Sequence, residues 1–133
     1  MLTQREHSLQ ELRFKLQSRD FEEHKIDTIL QRLSESGLQS DDRYTESYIA
    51  SRTERGSGPV RIRAELRERG IDEVLIETYL EGYAELWPSL LQRVHDAKFG
   101  TEPCTDRKTL VRKARFLQHR GFPGELIRQF LFD

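Results

Sequence analysis

The chain has 133 residues, of which 35% are hydrophobic and 34% are charged, and its formal net charge is −1. A net charge near zero argues against a generic polyanion binder, because nonspecific affinity for nucleic acid comes from an excess of lysine and arginine. No apolar run approaches the roughly 20 residues that span a bilayer, and the lone cysteine, Cys104, excludes an internal disulfide and fits a reducing compartment, the cytoplasm.

Eight helices are predicted from the helical spacing of the apolar residues and from the capping signals between them. Ser8 and Glu11 have the spacing of a capping box at the start of the first helix, which Asp20 ends. Gly37 stops the second helix. The other six are predicted to end near Arg55, Arg69, Tyr83, Phe99, Arg120 and Leu131. No segment alternates with the period of a strand, so no sheet is predicted.

Seven positions recur about every fifty residues with their type and spacing retained. The middle copy consists of Leu66, Arg69, Gly70, Ile71, Ile76, Tyr79 and Leu80. The earlier copy consists of Leu16, Arg19, Asp20, Phe21, Ile26, Ile29 and Leu30, and the later copy of Leu117, Arg120, Gly121, Phe122, Ile127, Phe130 and Leu131. Such a period is typical of units that stack on their neighbours. The expected fold is all-α: an elongated array of tandem three-helix repeats at 1–39, 40–86 and 87–133, in which the first repeat has two helices and lacks its first.

No catalytic or metal site is expected. Four histidines lie on different predicted helices without the spacing of metal ligands: His7, His24, His95 and His119. Cys104 has no histidine within helical reach, which argues against a nucleophile. The glycine-rich turn at 56–59 lacks the preceding strand and the following Lys-Ser/Thr of a phosphate loop. We therefore expect a protein that is not an enzyme and needs no cofactor.

Charge alternates between neighbouring helices. Residues 52–69 hold six basic and three acidic side chains, and residues 107–128 hold seven basic and one acidic. Residues 72–85 hold five acidic side chains and no basic one. One interpretation is that neighbouring helices pair their surface charges, each pair contributing about 0–1 kcal/mol. The other is that a basic strip binds an acidic protein surface or a phosphate backbone. Sequence alone leaves both open.

The second interpretation assigns partner binding to seven residues, namely Arg52, Arg61, Arg63, Arg67, Arg112, Lys113 and Arg115. Three other arginines fall on the core side of the last helical turn, where a cation satisfies terminal carbonyls, so a structural role is predicted for Arg19, Arg69 and Arg120. Five aromatic residues have the helical spacing of core positions, which favours packing over base stacking: Tyr44, Tyr48, Tyr79, Trp87 and Phe116.

Two stretches at the centre of the chain closely resemble the RecX family: Asp-Asp-Arg-Tyr-Thr-Glu-Ser-Tyr-Ile-Ala-Ser-Arg at 41–52 and Gly-Ser-Gly-Pro-Val-Arg-Ile-Arg-Ala-Glu-Leu-Arg-Glu-Arg-Gly-Ile at 56–71. Arg5-Glu6-His7-Ser8, followed by Glu11-Leu12, is similar to the motif of that family's first repeat. Its third repeat is matched at 98–100 and 115–122. Family members usually carry another helix before the Arg-Glu-His-Ser position, whereas this chain starts just ahead of it.

The resemblance implies a bacterial regulator of the RecA recombinase. Members of the family lie along the helical groove of the RecA–single-stranded-DNA filament and limit its growth, ATPase activity, strand exchange and LexA cleavage. They bind and do not catalyse. Three repeats, each roughly 20 Å long at one helix length, would span about 60–70 Å and bridge successive RecA protomers. We expect a monomer, because the repeats already cover one another, and no membrane partner, because no apolar run is long enough to span a bilayer. Direct contact with single-stranded DNA remains open.

Two other functions are compatible with three-helix units. A helix-turn-helix-like DNA-binding protein would place one helix in the major groove of duplex DNA, but the near-neutral charge and the divergence among the basic helices argue against it. A helical adaptor would bind its protein partner equally well with or without DNA. Neither alternative is eliminated by the residues themselves.

Overall fold

The computed structural model describes residues 6–133, and within that range every regular element is helical. The helices are α1 (Leu9–Ser18), α2 (Glu23–Glu35), α3 (Asp41–Glu54), α4 (Pro59–Glu68), α5 (Glu73–Glu81), α6 (Trp87–Phe99), α7 (Arg107–His119) and α8 (Gly124–Phe132). A short 3₁₀ turn at Ala84–Leu86, for which the sequence has no signal, joins α5 to α6. The all-α prediction is confirmed, and two helices, α1 and α2, lie within residues 6–39. Arg5 of the first-repeat motif lies outside the described residues.

The helix ends follow the capping signals of the sequence. Ser8 Oγ accepts a hydrogen bond from the Glu11 amide (3.1 Å), and Glu11 accepts one from the Ser8 amide (3.2 Å). This reciprocal capping box satisfies two amides that have no partner within α1. Pro59 begins α4, where its missing N–H has no consequence. Asp72 and Asp106 cap α5 and α7 through their carboxylates. Local sequence therefore determines where the helices begin.

The buried apolar side chains form two clusters. The larger cluster joins α3–α8 into one core, and six of its members are completely buried: Ile49, Ile62, Leu66, Ile76, Leu91 and Leu117. The smaller cluster belongs to repeat 1 and consists of Leu12, Ile26 and Leu30, with Leu16 and Leu33 packed against it. Repeats 2 and 3 thus share a core, whereas repeat 1 has its own. Small cores of this kind depend on contacts with the neighbouring repeat.

Neighbouring repeats are joined by the same arrangement of helices. The Gly58 amide donates to the Arg120 carbonyl (2.8 Å), and the Val60 amide donates to the Gly121 carbonyl (2.9 Å). At the junction of repeats 1 and 2, Ser8 Oγ donates to the Arg69 carbonyl (3.0 Å). On the fifty-residue frame α1, α4 and α7 correspond to one another, and each is here called the middle helix of its repeat. In each case the start of one middle helix meets the end of the next middle helix. Hydrogen bonds to fixed backbone carbonyls, donated by backbone amides at one junction and by the Ser8 hydroxyl at the other, make these junctions specific in register.

Each junction leaves no room for a side chain at the turn after the middle helix. Gly121 has a φ of 101°, and a Cβ there would collide with the Cβ of Arg61. Asp20 holds the corresponding position of repeat 1 with a φ of 62°. The next residue is 44% exposed in repeat 1 (Phe21) but 2% exposed in repeat 3 (Phe122). The repeat therefore uses glycine where a preceding repeat packs against the turn.

Candidate partner-binding surface

Arg69 and Arg120 lie at the ends of α4 and α7, where the sequence predicts a structural role. Arg69 donates from Nη1 to the Glu65 carbonyl (3.0 Å) in the last turn of its own helix. Arg120 donates from Nη2 to the Arg55 carbonyl (3.0 Å) at the end of α3. The structural role is confirmed for both, although Arg120 bonds to a carbonyl at the end of the neighbouring helix α3 and not to one of its own helix. Within residues 6–133, the side chain of Arg19 makes no such bond.

The aromatic side chains belong to the core, as predicted. Tyr44 and Trp87 are 3% and 8% exposed, and Tyr48, Tyr79 and Phe116 pack against the larger cluster. The rings of Tyr44 and Tyr48 stack with their centroids 5.7 Å apart. Burial raises the pKa of Tyr44 to about 12. Rings held in this way are not available as stacking platforms for bases.

In repeat 2, α5 neutralises two arginines of α4, Arg63 and Arg67. Arg63 binds Glu77 through two hydrogen bonds of 2.6 and 3.3 Å, and Arg67 binds Glu73 through two of 2.9 and 2.5 Å. The hydrogen bonds from Arg67 hold the pKa of Glu73 below its usual value. Paired hydrogen bonds match the planar guanidinium to a carboxylate. The interpretation that neighbouring helices pair their charges is therefore correct for this repeat.

Repeat 1 contains the same charge network fifty residues earlier. Arg13 binds Glu23 at 2.9 Å and Asp27 at 2.6 Å, both on α2. Gln17 occupies the position that corresponds to Arg67 and donates to Glu23 (2.7 Å). In both repeats, acidic side chains of the third helix neutralise the basic side chains of the middle helix. This pairing is a property of the repeat itself.

Repeat 3 lacks both the basic and the acidic residues of the network. The four positions that hold the ion pairs of repeat 2 hold Ala114, Gln118, Gly124 and Arg128 here. Four exposed cations of α7 form no ion pair with any residue in 6–133, and we call them the α7 face: Arg107, Lys108, Arg112 and Arg115. The spacing of the last three places them on one side of the helix over about 10 Å. The α7 face is thus a solvent-exposed surface of uncompensated positive charge.

All four residues of repeat 2 that are predicted to contact a partner lie close to carboxylates. Arg63 and Arg67 are held by α5, as described above. Arg52 and Arg61 both approach Glu65, with Nε to carboxylate oxygen distances of 3.7 and 3.5 Å. Contact with an acidic partner at these arginines would have to displace an intramolecular carboxylate. Their part in binding stays a prediction.

The three predicted residues of repeat 3 differ in exposure. Arg112 and Arg115 belong to the α7 face, whereas Lys113 is 5% exposed and lies in the interior of the repeat. Arg107 and Lys108 were not in the predicted set, although they lie on the same surface. The signal for them in the sequence is the excess of seven basic side chains over one acidic side chain at 107–128.

A second basic surface lies where repeats 2 and 3 meet. A groove of about 500 Å³ between the end of α3, α6 and α7, here called the junction groove, is lined by four cations and one acid: Arg55, Arg93, Lys98, Arg120 and Glu54. Phe116 forms part of its floor, and the Lys98 ammonium lies 5.7 Å from its ring centroid. An open groove with this charge excess attracts anionic groups.

The chain matches three family models in sequence order. They describe the first, second and third three-helix domains of RecX and match residues 1–33, 40–80 and 89–131. The chain belongs to the RecX family. The three matched ranges cover most of the chain and include the residues of both basic surfaces.

RecX proteins of several bacteria are similar over nearly the whole chain. The regulatory protein RecX of Halorhodospira halophila is 38% identical, over 96% of this chain and 80% of the relative. That of Pseudomonas syringae pv. tomato is 39% identical, over 98% of this chain and 84% of the relative. The crystal structure of RecX from Lactobacillus salivarius, at 25% identity, has a TM-score of 0.81 and covers 98% of this chain and 88% of its own. The name shared by these relatives describes a regulatory protein.

The described part of this RecX-family chain contains no candidate centre for metal chemistry and no span for a membrane. Within residues 6–133, no group of three or more histidine, cysteine, aspartate or glutamate side chains is arranged to hold a metal ion. None of the helices in that range is long and apolar enough to cross a bilayer. The basic surfaces are therefore the features of the described residues that best support a function.

Proposed function

We propose that this protein binds the RecA–single-stranded-DNA filament in its helical groove and inhibits the recombinase, ATPase and LexA co-protease activities of RecA. Membership of the RecX family supports this partner. The observation that carries the proposal is the group of exposed cations on α7 in repeat 3 that form no ion pair with any residue in 6–133. Repeats 1 and 2 neutralise their middle helices internally, whereas the α7 face keeps its charge for an external acidic surface.

The physical basis is electrostatic. Cations without an intramolecular partner create a positive potential over the surface, which steers an anionic partner and raises its association rate. No ion pair has to break before they bind, unlike the arginines of α4. The α7 face therefore makes the first contact with an acidic RecA surface or with the DNA backbone, and Arg112 and Arg115 are its central residues. The junction groove, which follows on the same repeat, binds phosphate groups of the single strand.

Inhibition follows from the array. The repeats are joined by hydrogen bonds to backbone carbonyls, so they move as a connected unit along the groove. A connected unit that touches successive RecA protomers stabilises their relative positions, and the turnover of the filament then slows. The protein acts in the cytoplasm as a monomer, without a cofactor and without catalysing a reaction. Its activity belongs to the regulation of recombinational DNA repair and of the SOS response.

The experiment is a titration of this protein into the single-stranded-DNA-dependent ATPase assay of RecA. We expect inhibition at or below the RecA concentration by the wild type, and a higher midpoint for the Arg112→Gln/Arg115→Gln variant. Failure of the wild type to inhibit RecA or to bind its filament would contradict the proposal. Tight binding to duplex DNA in the absence of RecA would support the DNA-binding alternative. Equal binding to RecA with and without DNA would support the adaptor.

A further inference from the structure

The interior of repeat 3 contains a lysine without a counter-charge. Lys113 is 5% exposed, and no carboxylate within residues 6–133 is at ion-pair distance from its ammonium. The ammonium lies 5.5 Å from the centroid of the Phe99 ring, which is its only charge-stabilising contact among the described residues. Lysine is rarely buried to this extent unless it is paired, because burial removes the hydration of its charge.

His95 provides a second incompletely bonded group next to this lysine. It is 5% exposed, and its Nδ1 lies 2.9 Å from the Asp96 carboxylate. Its Nε2 is buried and has no hydrogen-bond partner in the described structure. The imidazole is packed against the rings of Phe99 and Phe130, at centroid distances of 5.4 and 4.9 Å. Buried polar atoms are nearly always bonded, so an orphaned nitrogen requires an explanation.

Both side chains line one cavity of about 360 Å³. Its apolar wall comes from α7 and α8 and consists of Leu110, Phe130 and Leu131. The loop between α6 and α7 forms its mouth, with Thr101, Glu102, Pro103 and Cys104. The rest of the lining is largely polar, and a cavity of this size that combines an apolar wall with converging polar groups can hold a small molecule.

We propose that this cavity binds a small organic monocarboxylate. The carboxylate pairs with the Lys113 ammonium, and the apolar body of the ligand lies against Leu110 and Phe130. A monoanion is favoured over a phosphate dianion because Asp96 and Glu102 also line the cavity and would repel a second negative charge. This site is distinct from the α7 face and does not depend on the proposed action on RecA.

Hexanoate is a suitable probe, and 1-hexanol of the same length tests the need for the charge. The His95 imidazole resonances of the intact protein report on the cavity by NMR. We expect a saturable shift with millimolar hexanoate and none with 1-hexanol. Lys113→Met should abolish the shift, whereas Lys108→Met, an exposed lysine on the same helix, should leave it unchanged. Absence of saturation in the wild type, or equal saturation in Lys113→Met, would overturn the site.

Two further measurements separate a ligand site from a structural lysine. Methionine has a similar length and no charge, so Lys113→Met should unfold at the same or a higher urea concentration than the wild type if the ammonium is unpaired. A lower unfolding midpoint would show that the ammonium is needed for the fold and would contradict the proposal. Glu102→Gln removes a competing carboxylate from the mouth of the cavity and should tighten hexanoate binding. Weaker binding by Glu102→Gln would also contradict it.

Discussion

Arg63 of α4 and Glu77 of α5 are joined by two hydrogen bonds, and Arg13 and Asp27 stand in the same relation fifty residues earlier. The chain therefore repeats an ion pair as well as a helical pattern. Since an exposed pair contributes little to stability, its main effect here is to cancel the charge of the middle helix. Repeat 3 lacks both members of this pair, and its exposed cations lie at other positions of α7, where they form no ion pair with any residue in 6–133.

Releasing the arginines of repeat 2 should turn it into a second binding surface. Glu73→Gln/Glu77→Gln frees Arg67 and Arg63, so the affinity for the RecA filament at low salt should rise. Glu81→Gln/Glu85→Gln changes the net charge equally, but those residues form no ion pair within the described range. Fluorescence anisotropy of labelled filaments measures both variants. An equal increase in affinity for the two variants would indicate a general charge effect and contradict this mechanism.

The junction glycines should be much more sensitive to substitution than a glycine at a free helix end. Gly121→Ala places a Cβ against Arg61, whereas Gly37 has a similar positive φ and no atom within 4 Å of the position that a Cβ would take. We expect Gly37→Ala to lose about 1 kcal/mol from the left-handed backbone, and Gly121→Ala to lose about 1–3 kcal/mol more from overpacking. Urea unfolding measures both. Equal losses would show that the junction tolerates a side chain.

Asp20 should be replaceable by glycine without loss of stability. Its φ of 62° is unfavourable for any residue with a Cβ, and relief of that strain is worth about 1–2 kcal/mol. The greater freedom of glycine in the unfolded chain offsets about 0.4–1 kcal/mol of it. Thermal unfolding of Asp20→Gly should therefore give an equal or higher midpoint. A clearly lower midpoint would mean that the Asp20 side chain stabilises the turn by a contact that these arguments omit.

The ion pair of Glu73 gives stability a defined pH dependence. Arg67 lowers the pKa of this carboxyl from its ordinary value of 4.5, so the folded state is favoured when the carboxyl is ionised. Its contribution is present above pH 4.5 and is lost as the pH falls through the lower pKa of the folded state. Wild type should thus exceed Glu73→Gln in urea midpoint at pH 7, and the difference should shrink by pH 3. A difference in urea midpoint between the two proteins that grows as the pH falls would contradict the predicted direction of this pH dependence.

The sequence predicts the helices, their caps and the buried aromatic residues because each depends on local spacing or on a stripe of apolar side chains. The ion pairs between α4 and α5 also depend on how two helices are oriented, so charge counts left two interpretations open. The sequence does not predict the burial of Lys113, for a different reason. It lies four residues before the buried Leu117, on the core stripe of α7, but its charge suggested a surface residue. The junction bonds from Gly58 to Arg120 connect residues too distant in sequence for local patterns to reveal.

The central claim is that the α7 face contacts the filament and the paired arginines of α4 do not make the main contact. The most direct measurement compares filament affinity for two variants with the same charge change, Arg112→Gln/Arg115→Gln and Arg63→Gln/Arg67→Gln, after circular dichroism has shown both to be helical. We predict a loss of about tenfold or more for the first and less than about threefold for the second. A larger loss for the second variant, or no loss for either, would contradict the account.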